Sequence, residues 1–455
     1  MSTLKVNKLR DTAGSADAIT LDPNGGAVIA GVTTVSTVKV GSGVTISSDG
    51  DVFTTGITTS STVIVGSGVT ISESGIDAVG LGITVKSING SQLSGRRRIN
   101  FNGDMRVAQR ATSAATQDGS GNEGYMTLDR WRILYSSSAG GAATMSQDTE
   151  VPTDYSWGRF SKSLKMDVTT ADTSIDTNHA ITLQYRMEAQ DIRNSGWDYT
   201  NPNSILSVSF WAKSVKAGTY CVAVNSQDMD PNKDFIVEYT LVANTWKHVE
   251  MEIPGDSSLV INDDNERGMN FLWALVTGSG RQGTAGAWTD VSSETKYGTS
   301  NQVNFYDSTD NNFYLTGVQI EVGKPTIFEH HTFAEELSLC QRYFYMHASG
   351  AEDASNGGET PIGLGYGYTS TDCYLVVKFP VTMRSNPSMY KVVGSNYFRF
   401  AYNGNNAYPD NVGNNRVATQ SAEIYFYSNA SWSQNDGGMV RINNTAARLG
   451  FDAEL

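Results

Sequence analysis

From Thr37 to Gly50 apolar and polar side chains alternate. Val38, Val40, Val44 and Ile46 fall in one phase, and Thr37, Lys39, Thr45 and Ser47 in the other. A period of two marks half-buried β-strands. The stretch TVKVGSGVTISSDG returns as TVIVGSGVTISESG from Thr62 to Gly75, about 25 residues on, and more loosely as GITVKSINGSQLSG from Gly82 to Gly95. Gly41-Ser42-Gly43 and Asp49-Gly50 supply the turns. Each unit carries one apolar stripe, and so few copies cannot close a core alone. Three chains wound about one axis would cover one another's stripes and leave no open edge. Residues 31–95 are therefore expected to form a trimeric β-repeat shaft. Residues 1–30 form a head in which ITLDPNGGAVI reads as strand, turn, strand.

Beyond Arg96 the pattern changes. Tryptophan first occurs at Trp131, and short alternating runs recur between turns: LSVSFWAKS from Leu206, TYCVAVNS from Thr219, FIVEYTL from Phe235, HVEMEI from His248 and NFLWALVTG from Asn270. Strands of that length and spacing predict an antiparallel β-sandwich of jelly-roll type over 96–331, with Trp211, Trp246 and Trp273 in its core. One helix interrupts the strands. Thr332 with Glu335 forms a capping box, and Leu339, Tyr343 and Met346 follow at helical spacing, so 332–347 reads as a linking helix. Residues 348–455, rich in Tyr, Asn and Gly, read as a distal β tip domain. The fold class expected is all-β.

Composition narrows the partners. The formal charge of −14 opposes phosphate backbones, which argues against nucleic-acid binding. Arg96-Arg97-Arg98 is the one basic cluster and reads as a solvated boundary loop or a neighbour's ion-pair partner. Cys221, Cys340 and Cys373 lie far apart, without CxxC spacing, and read as buried reduced thiols of a protein made in a cytoplasm. No apolar leader follows Met1 and no run approaches the ~18 residues of a membrane span, so neither secretion nor membrane insertion is expected.

Candidate chemistry is sparse. Asp228, Asp230, Asn232 and Asp234 alternate as the oxygen ligands of a Ca²⁺ loop do, but Lys233 stands at the sixth position and Tyr239 at the twelfth. A solvated acidic loop is favoured, with Ca²⁺ as the alternative and no cofactor otherwise. Asp263, Asp264 and Glu266 resemble a hydrolase's paired carboxylates but read as a polar turn. His330-His331 reads as a loop feature rather than a metal site, since adjacent residues of a strand face opposite ways. Aromatics in polar loops say more, because a pyranose ring stacks on Trp or Tyr while nearby amides hold its hydroxyls. Trp197, Tyr199 and Trp288 sit in such loops. So do Tyr402, Asn403, Asn405, Tyr408 and Trp432, and these eight residues are the sugar-binding candidates.

Seven motifs follow one another in a familiar order: INFNGDMRVAQR from Ile99, YMTLDRW from Tyr125, SVSFWAKS from Ser207, ANTWKHVEMEIPGD from Ala243, FYLTGVQIEVG from Phe313, FEHHTFAEELSLCQRYFY from Phe328 and FPVTMRSNP from Phe379. With the head STLKVNKL they resemble phage tail fibre proteins, those of cyanobacterial phages in particular. The resemblance covers most of the chain. It implies a non-enzymatic virion protein: a homotrimer with a carbohydrate-binding-module-like sandwich, joined to a tail or baseplate protein through residues 1–30, that adheres to host-surface glycans multivalently. A tail-spike depolymerase and a purely structural fibre are the alternatives.

Overall fold

The computed structural model describes residues 97–455 apart from 114–115, 121–122, 138–139 and 292–293, and before residue 97 six short strands. The chain divides into two compact units, Met1–Thr84 and Val85–Leu455. In the first, Lys8–Leu9, Ile19–Leu21 and Ala27–Ile29 form an antiparallel sheet in which Ile19 faces Ile29. This is the strand–turn–strand expected of the head. Thr62–Val65, Val69–Ser72 and Gly75–Ala78 form a meander with Val65 opposite Val69, so the second repeat is a hairpin. The first repeat, the looser third and Arg96 lie outside the described residues.

In the second unit two six-stranded antiparallel sheets face each other. One runs Lys247–Pro254, Ile205–Ser214, Asn312–Val322, Ser163–Thr170, Ala142–Asp148, Gln117–Asp118. The other runs Trp288–Asp290, Lys233–Leu241, Gly218–Ser226, Arg267–Thr277, Ala180–Glu188, Trp131–Ser136. Alternation decides which side chains meet between the sheets. In Trp131–Ser136 the residues Trp131, Ile133 and Tyr135 point inward, and Trp131 lies 5.2 Å from Trp273 and 5.4 Å from Tyr185. Arg267–Thr277 and Asn312–Val322 are buried almost throughout, because the outer faces are covered too. Tyr297 lies over Ala180, Cys221, Ala223, Ile236, Leu272 and Ala274 on one outer face. Phe160 and Phe328 close over Trp211 on the other, with Trp246 half-buried beside them. Of the three tryptophans expected in the core, only Trp273 is in the central one.

The C-terminal part is a second, smaller sandwich. A seven-stranded sheet, in the order Asn405–Ala407, Phe398–Tyr402, Gly437–Ile442, Pro361–Gly367, Cys373–Lys378, Ser421–Tyr427, Asn411–Ala418, shares a core with the three strands Phe344–Ser349, Arg448–Asp452 and Ser388–Val392. The helix begins where its capping box predicts, with both reciprocal Thr332–Glu335 bonds formed, but ends at Gln341. Tyr343 and Met346 are not helical. From Phe344 the chain pairs with Arg448–Asp452, and the ladder bonds and aromatic burial gained there outweigh another helical turn.

The seam between the two sandwiches is charged and buried. Arg130 reaches Glu454 and lies flat on Tyr343, its guanidinium carbon 3.4 Å from the ring centre. Arg110 pairs with Asp452 at 2.9 Å over the ring of Phe344. Arg342 forks onto Glu188 with bonds of 2.8 and 2.7 Å. Beside the helix Arg98 meets Glu336 at 2.5 Å, and both side chains are fully buried. Arg98 is thus an internal ion-pair partner, not part of a solvated loop as the basic cluster suggested. Gly103 fits because a Cβ there would come within 1.9 Å of the Val318 carbonyl oxygen. His331 turns its Nδ1 to Glu336 at 2.9 Å and serves this network rather than a metal.

Two predictions follow from the seam. Glu454→Gln leaves Arg130 buried without its carboxylate and is expected to cost about 3–5 kcal/mol in urea denaturation; a loss below about 1 kcal/mol would show that the pair is dispensable. Burial pushes the Glu336 carboxyl up, but hydrogen bonds from His331, Arg98 and the Asn102 amide outweigh it and bring it down to about 2 from an ordinary 4.5. The folded value is the lower one, so the stability is present above pH 4.5 and lost as the pH falls towards 2. A shift of that size is worth about 3 kcal/mol. Acid unfolding of Glu336→Gln should lack this component; an unchanged acid limb contradicts the assignment.

Candidate functional site

The seven-stranded sheet puts its apolar phase inward: Ile362, Cys373, Leu375, Val377, Ala422, Ile424, Phe426, Val440 and Ile442 build the core. The opposite phase is unusual. It presents Leu364, Tyr366, Tyr374, Val376, Glu423, Tyr425 and Tyr427 on the outer face, where a solvated sheet ordinarily carries charge. Register lines up the rings, with Tyr366 opposite Tyr374 and Tyr374 opposite Tyr425. Tyr374 and Tyr425 stack at 5.3 Å with planes 19° apart, and Tyr427 continues the row 5.2 Å from Tyr425. Tyr368, just past its strand, lies 5.0 Å from Tyr374 and 6.3 Å from Tyr366. Five tyrosines thus form one ladder across three adjacent strands.

Glycine makes the ladder possible at one rung. Gly413 stands opposite Tyr425, and a Cβ there would meet the ring at 2.7 Å. The ladder is open to solvent: Tyr366 is 49% and Tyr368 56% exposed, and Leu364 and Val376 flank them at 78% and 61%. Apolar groups gathered this densely on one exposed face mark an interaction surface. Polar groups rim it. Asn415 donates to Glu423, Thr369 donates to Asp372 at 2.9 Å, and Gln434 donates to the Tyr368 carbonyl at 3.2 Å. Partial burial, then Asp372, Tyr425 and Glu423 nearby, raise the Tyr374 phenol above its usual value of 10.0, so it remains a neutral donor. Flat π-faces beside hydroxyl donors and carboxylate acceptors match the two-sided chemistry of a sugar ring, apolar on its C–H face and polar at its edge.

Neither a family model nor a curated protein matches this chain. Among solved structures it is similar to the enzymatically active domain of bacteriophage CBA120 tailspike protein 4, at 14% identity and TM-score 0.24 over 42% of this chain and 19% of that one. It is similar to a CBM4 module at 17% identity and TM-score 0.25, over 49% of this chain and 99% of that one. A third is the C-terminal family 22 carbohydrate binding module of Clostridium thermocellum Xyn10B, at 11% identity and TM-score 0.24 over 48% and 96%. At such scores the likeness transfers neither ligand nor residue role to this chain.

The eight aromatic and amide candidates of the sequence fare unequally. Trp197 is 3% exposed in the main core, its indole donating to the Ser204 carbonyl at 3.1 Å, with Tyr199 half-buried against it. Trp432 is 6% exposed, donates to the Thr369 carbonyl at 2.9 Å and sits edge-on to Phe400. Both are core residues rather than exposed platforms, because a short polar loop buries its one large ring to anchor itself. Trp288 is half-buried on an edge strand against Phe235, its indole committed to the Pro254 carbonyl at 2.8 Å. Tyr402 packs on the inner core and donates to the Ser431 carbonyl at 3.3 Å. Asn403 and Gly404, with φ of 45° and 75°, are a two-residue hairpin turn, which accounts for Asn403 and the neighbouring Asn405 without a ligand. Tyr408 is 37% exposed. The structure does not bring these eight residues into one site.

The acidic loop does not converge on a cation either. Asp228 accepts from the Asn262 amide at 3.0 Å, whereas Asp234 is buried and accepts from Asn225 at 2.6 Å and the Lys296 amide at 2.7 Å. Asp230 is exposed, Asn232 half-buried, and Lys233 turns to Asp290 at 3.2 Å. Among the described residues no group of three or more His, Cys, Asp or Glu side chains could hold a metal. The carboxylate turn is equally occupied: Asp263 accepts from Asn194, Asp264 from the Glu266 amide, and Glu266 lies 3.6 Å from Arg384.

The ladder escaped the sequence reading, though its signal was there. In GLGYGYTSTDCYLVV and SAEIYFY the tyrosines occupy the phase opposite the Cys, Leu, Ile and Phe that go inward. Tyr374→Ala and Tyr425→Ala should each weaken ligand binding by about 1–3 kcal/mol, the cost of removing an aromatic anchor. Their unfolding free energy should move by less than about 1 kcal/mol, whereas Trp432→Ala should cost about 3–5 kcal/mol of stability. Denaturation of the three variants checks this; a large loss in both tyrosine variants would make the ladder a structural element.

Proposed function

We propose that this chain is a phage-type fibre adhesin that holds host-surface glycan on the tyrosine ladder. The observation that carries the reading is the ladder itself, five rings on the outer face of a sheet, Tyr366 and Tyr368 exposed and Tyr374, Tyr425 and Tyr427 half-buried, none of them part of the core beneath. The order of motifs along the chain supports the fibre assignment. In this reading residues 31–95 assemble three chains and residues 1–30 join a tail or baseplate protein of the virion. One flat ladder binds a saccharide weakly, and three per fibre raise the avidity roughly 10²–10⁴-fold when they engage together.

The test is retention of the full chain on immobilised bacterial surface polysaccharides, those of cyanobacteria included, with reducing ends assayed in parallel. Retention without new reducing ends, lost on combined Tyr374→Ala and Tyr425→Ala, is the expected result. Release of reducing ends would make the protein a depolymerase, and no retention on any polysaccharide would leave a structural fibre. Light scattering should give a trimer, and Val40→Asp with Val65→Asp should abolish it by burying unpaired charges. A stable wild-type monomer would end the shaft proposal.

A further inference from the structure

Beside the cap that Phe160 and Phe328 form over the larger sandwich lies a cavity of about 330 Å³ lined by Asp104, Arg106, Arg159, Phe160, Ser161 and His330. A volume at the lower end of small-ligand cavities holds one ring rather than a chain. Three segments distant in sequence meet there, and Gly158 permits the approach: at its φ of 119° a Cβ would come 3.1 Å from the Phe328 Cβ and 3.3 Å from the His330 Nε2. Asp104 is 2% exposed. Its Oδ2 accepts from the Nε of Arg106, and the Nη2 of Arg106 donates to the His331 carbonyl at 2.7 Å. The Oδ1 of Asp104 is buried and has no hydrogen-bond partner.

The donors around that oxygen are equally uncommitted. Among the described residues Arg159 forms no ion pair; its guanidinium lies over the ring of Tyr155, 5.4 Å from the centre, and Tyr155 is itself exposed. The Ser161 hydroxyl and the His330 ring are exposed and have no hydrogen-bond partner among the described residues. A buried carboxylate oxygen without a donor costs free energy until one arrives. A cation would bring a donor but would meet Arg106 and Arg159. An anion would suit Arg159 but would meet Asp104 and bring it no hydrogen. A hydroxyl group answers both, since it donates to the carboxylate and accepts from the guanidinium. Phe160 and His330, with rings 5.7 Å apart, supply an apolar wall. A neutral pyranose joins such a hydroxyl edge to an apolar C–H face.

We propose that this cavity holds one neutral pyranose residue, with adjacent hydroxyls on the Asp104 carboxylate and the Arg159 guanidinium and a C–H face against Phe160. The site lies on the larger sandwich and stands without the tyrosine ladder on the smaller one. The experiment is saturation-transfer NMR on the full chain with methyl α-D-glucopyranoside, methyl α-D-mannopyranoside and methyl β-D-galactopyranoside. Each is measured beside its fully O-methylated form, with sodium sulfate as competitor. At least one glycoside should bind, and its O-methylated form should bind at least about tenfold more weakly, because an ether oxygen cannot donate to Asp104. Raising the salt should leave that affinity within about twofold, because the ligand is uncharged. Arg159→Ala and Asp104→Asn should each lose about tenfold. Asp104→Asn also gives up the Arg106 pair, so if it fails to fold, Arg159→Ala at its exposed position decides the matter. No glycoside binding, equal binding of the O-methylated forms, or unchanged affinity in either folded variant overturns the proposal. Displacement of the sugar by sulfate makes the cavity an inorganic-anion site and overturns the pyranose assignment. If Tyr374→Ala removes the binding and Arg159→Ala does not, the ladder holds the sugar and the cavity does not.

Discussion

A guanidinium taken out of water needs a carboxylate within reach, and a carboxylate sealed in protein needs hydrogen-bond donors. Arg130 and Arg98 impose this condition on the large unit. Arg130, just before the strand Trp131–Ser136 of one sandwich, joins it to Glu454, which follows the last strand of the other, and rests on Tyr343 between them. Arg98 does the same for the helix through Glu336. Neither pair can form unless segments some 240 to 320 residues apart are already in place, as the sequence separations of 238 and 324 record. The seam therefore specifies how the sandwiches meet rather than merely adding stability. Hydrophobic contact alone would tolerate sliding; a bidentate fork such as Arg342 on Glu188 does not.

This seam also explains what the fibre-like motifs are for. Asn102, Arg110, Asp129 and Arg130, from INFNGDMRVAQR and YMTLDRW, converge there with Glu336, Arg342 and Tyr343 from FEHHTFAEELSLCQRYFY. Asn102 is held at a φ of 53° while its side chain bonds the backbone of Val107 and Asp129, an arrangement Asn tolerates better than most residues. Motifs of this kind encode a joint. The joint carries no ligand information, and the surface that faces a partner has to be sought elsewhere.

How much was legible in the sequence divides along the same line. Period-two alternation gave the all-β class, the strands and the second repeat's hairpin, because one face of each strand must be buried. The capping box located the start of the helix, since it is a local reciprocal bond. Its end was not legible: Tyr343 and Met346 satisfy helical spacing, and only the distant pairing with Arg448–Asp452 rules the extension out. The site was misread for a related reason. Aromatics in loops look exposed, yet Trp197 and Trp432 anchor their loops inward, while tyrosines inside regular strands, which look like core, stand on an outer face, Tyr366 exposed and Tyr374, Tyr425 and Tyr427 half-buried. Exposure of a ring depends on its phase relative to neighbours many residues away.

Gly413 and the register of the ladder carry one more consequence. The rungs lie across strands, so their spacing is fixed by main-chain hydrogen bonds and not by the side chains themselves. Outward side chains such as Tyr366 and Tyr374 can then be exchanged while the inward phase that builds the core remains untouched. The chemistry of the outer face and the packing of the core are written on opposite faces of the same strands. A different chemistry on this face would need new rungs, not a new scaffold.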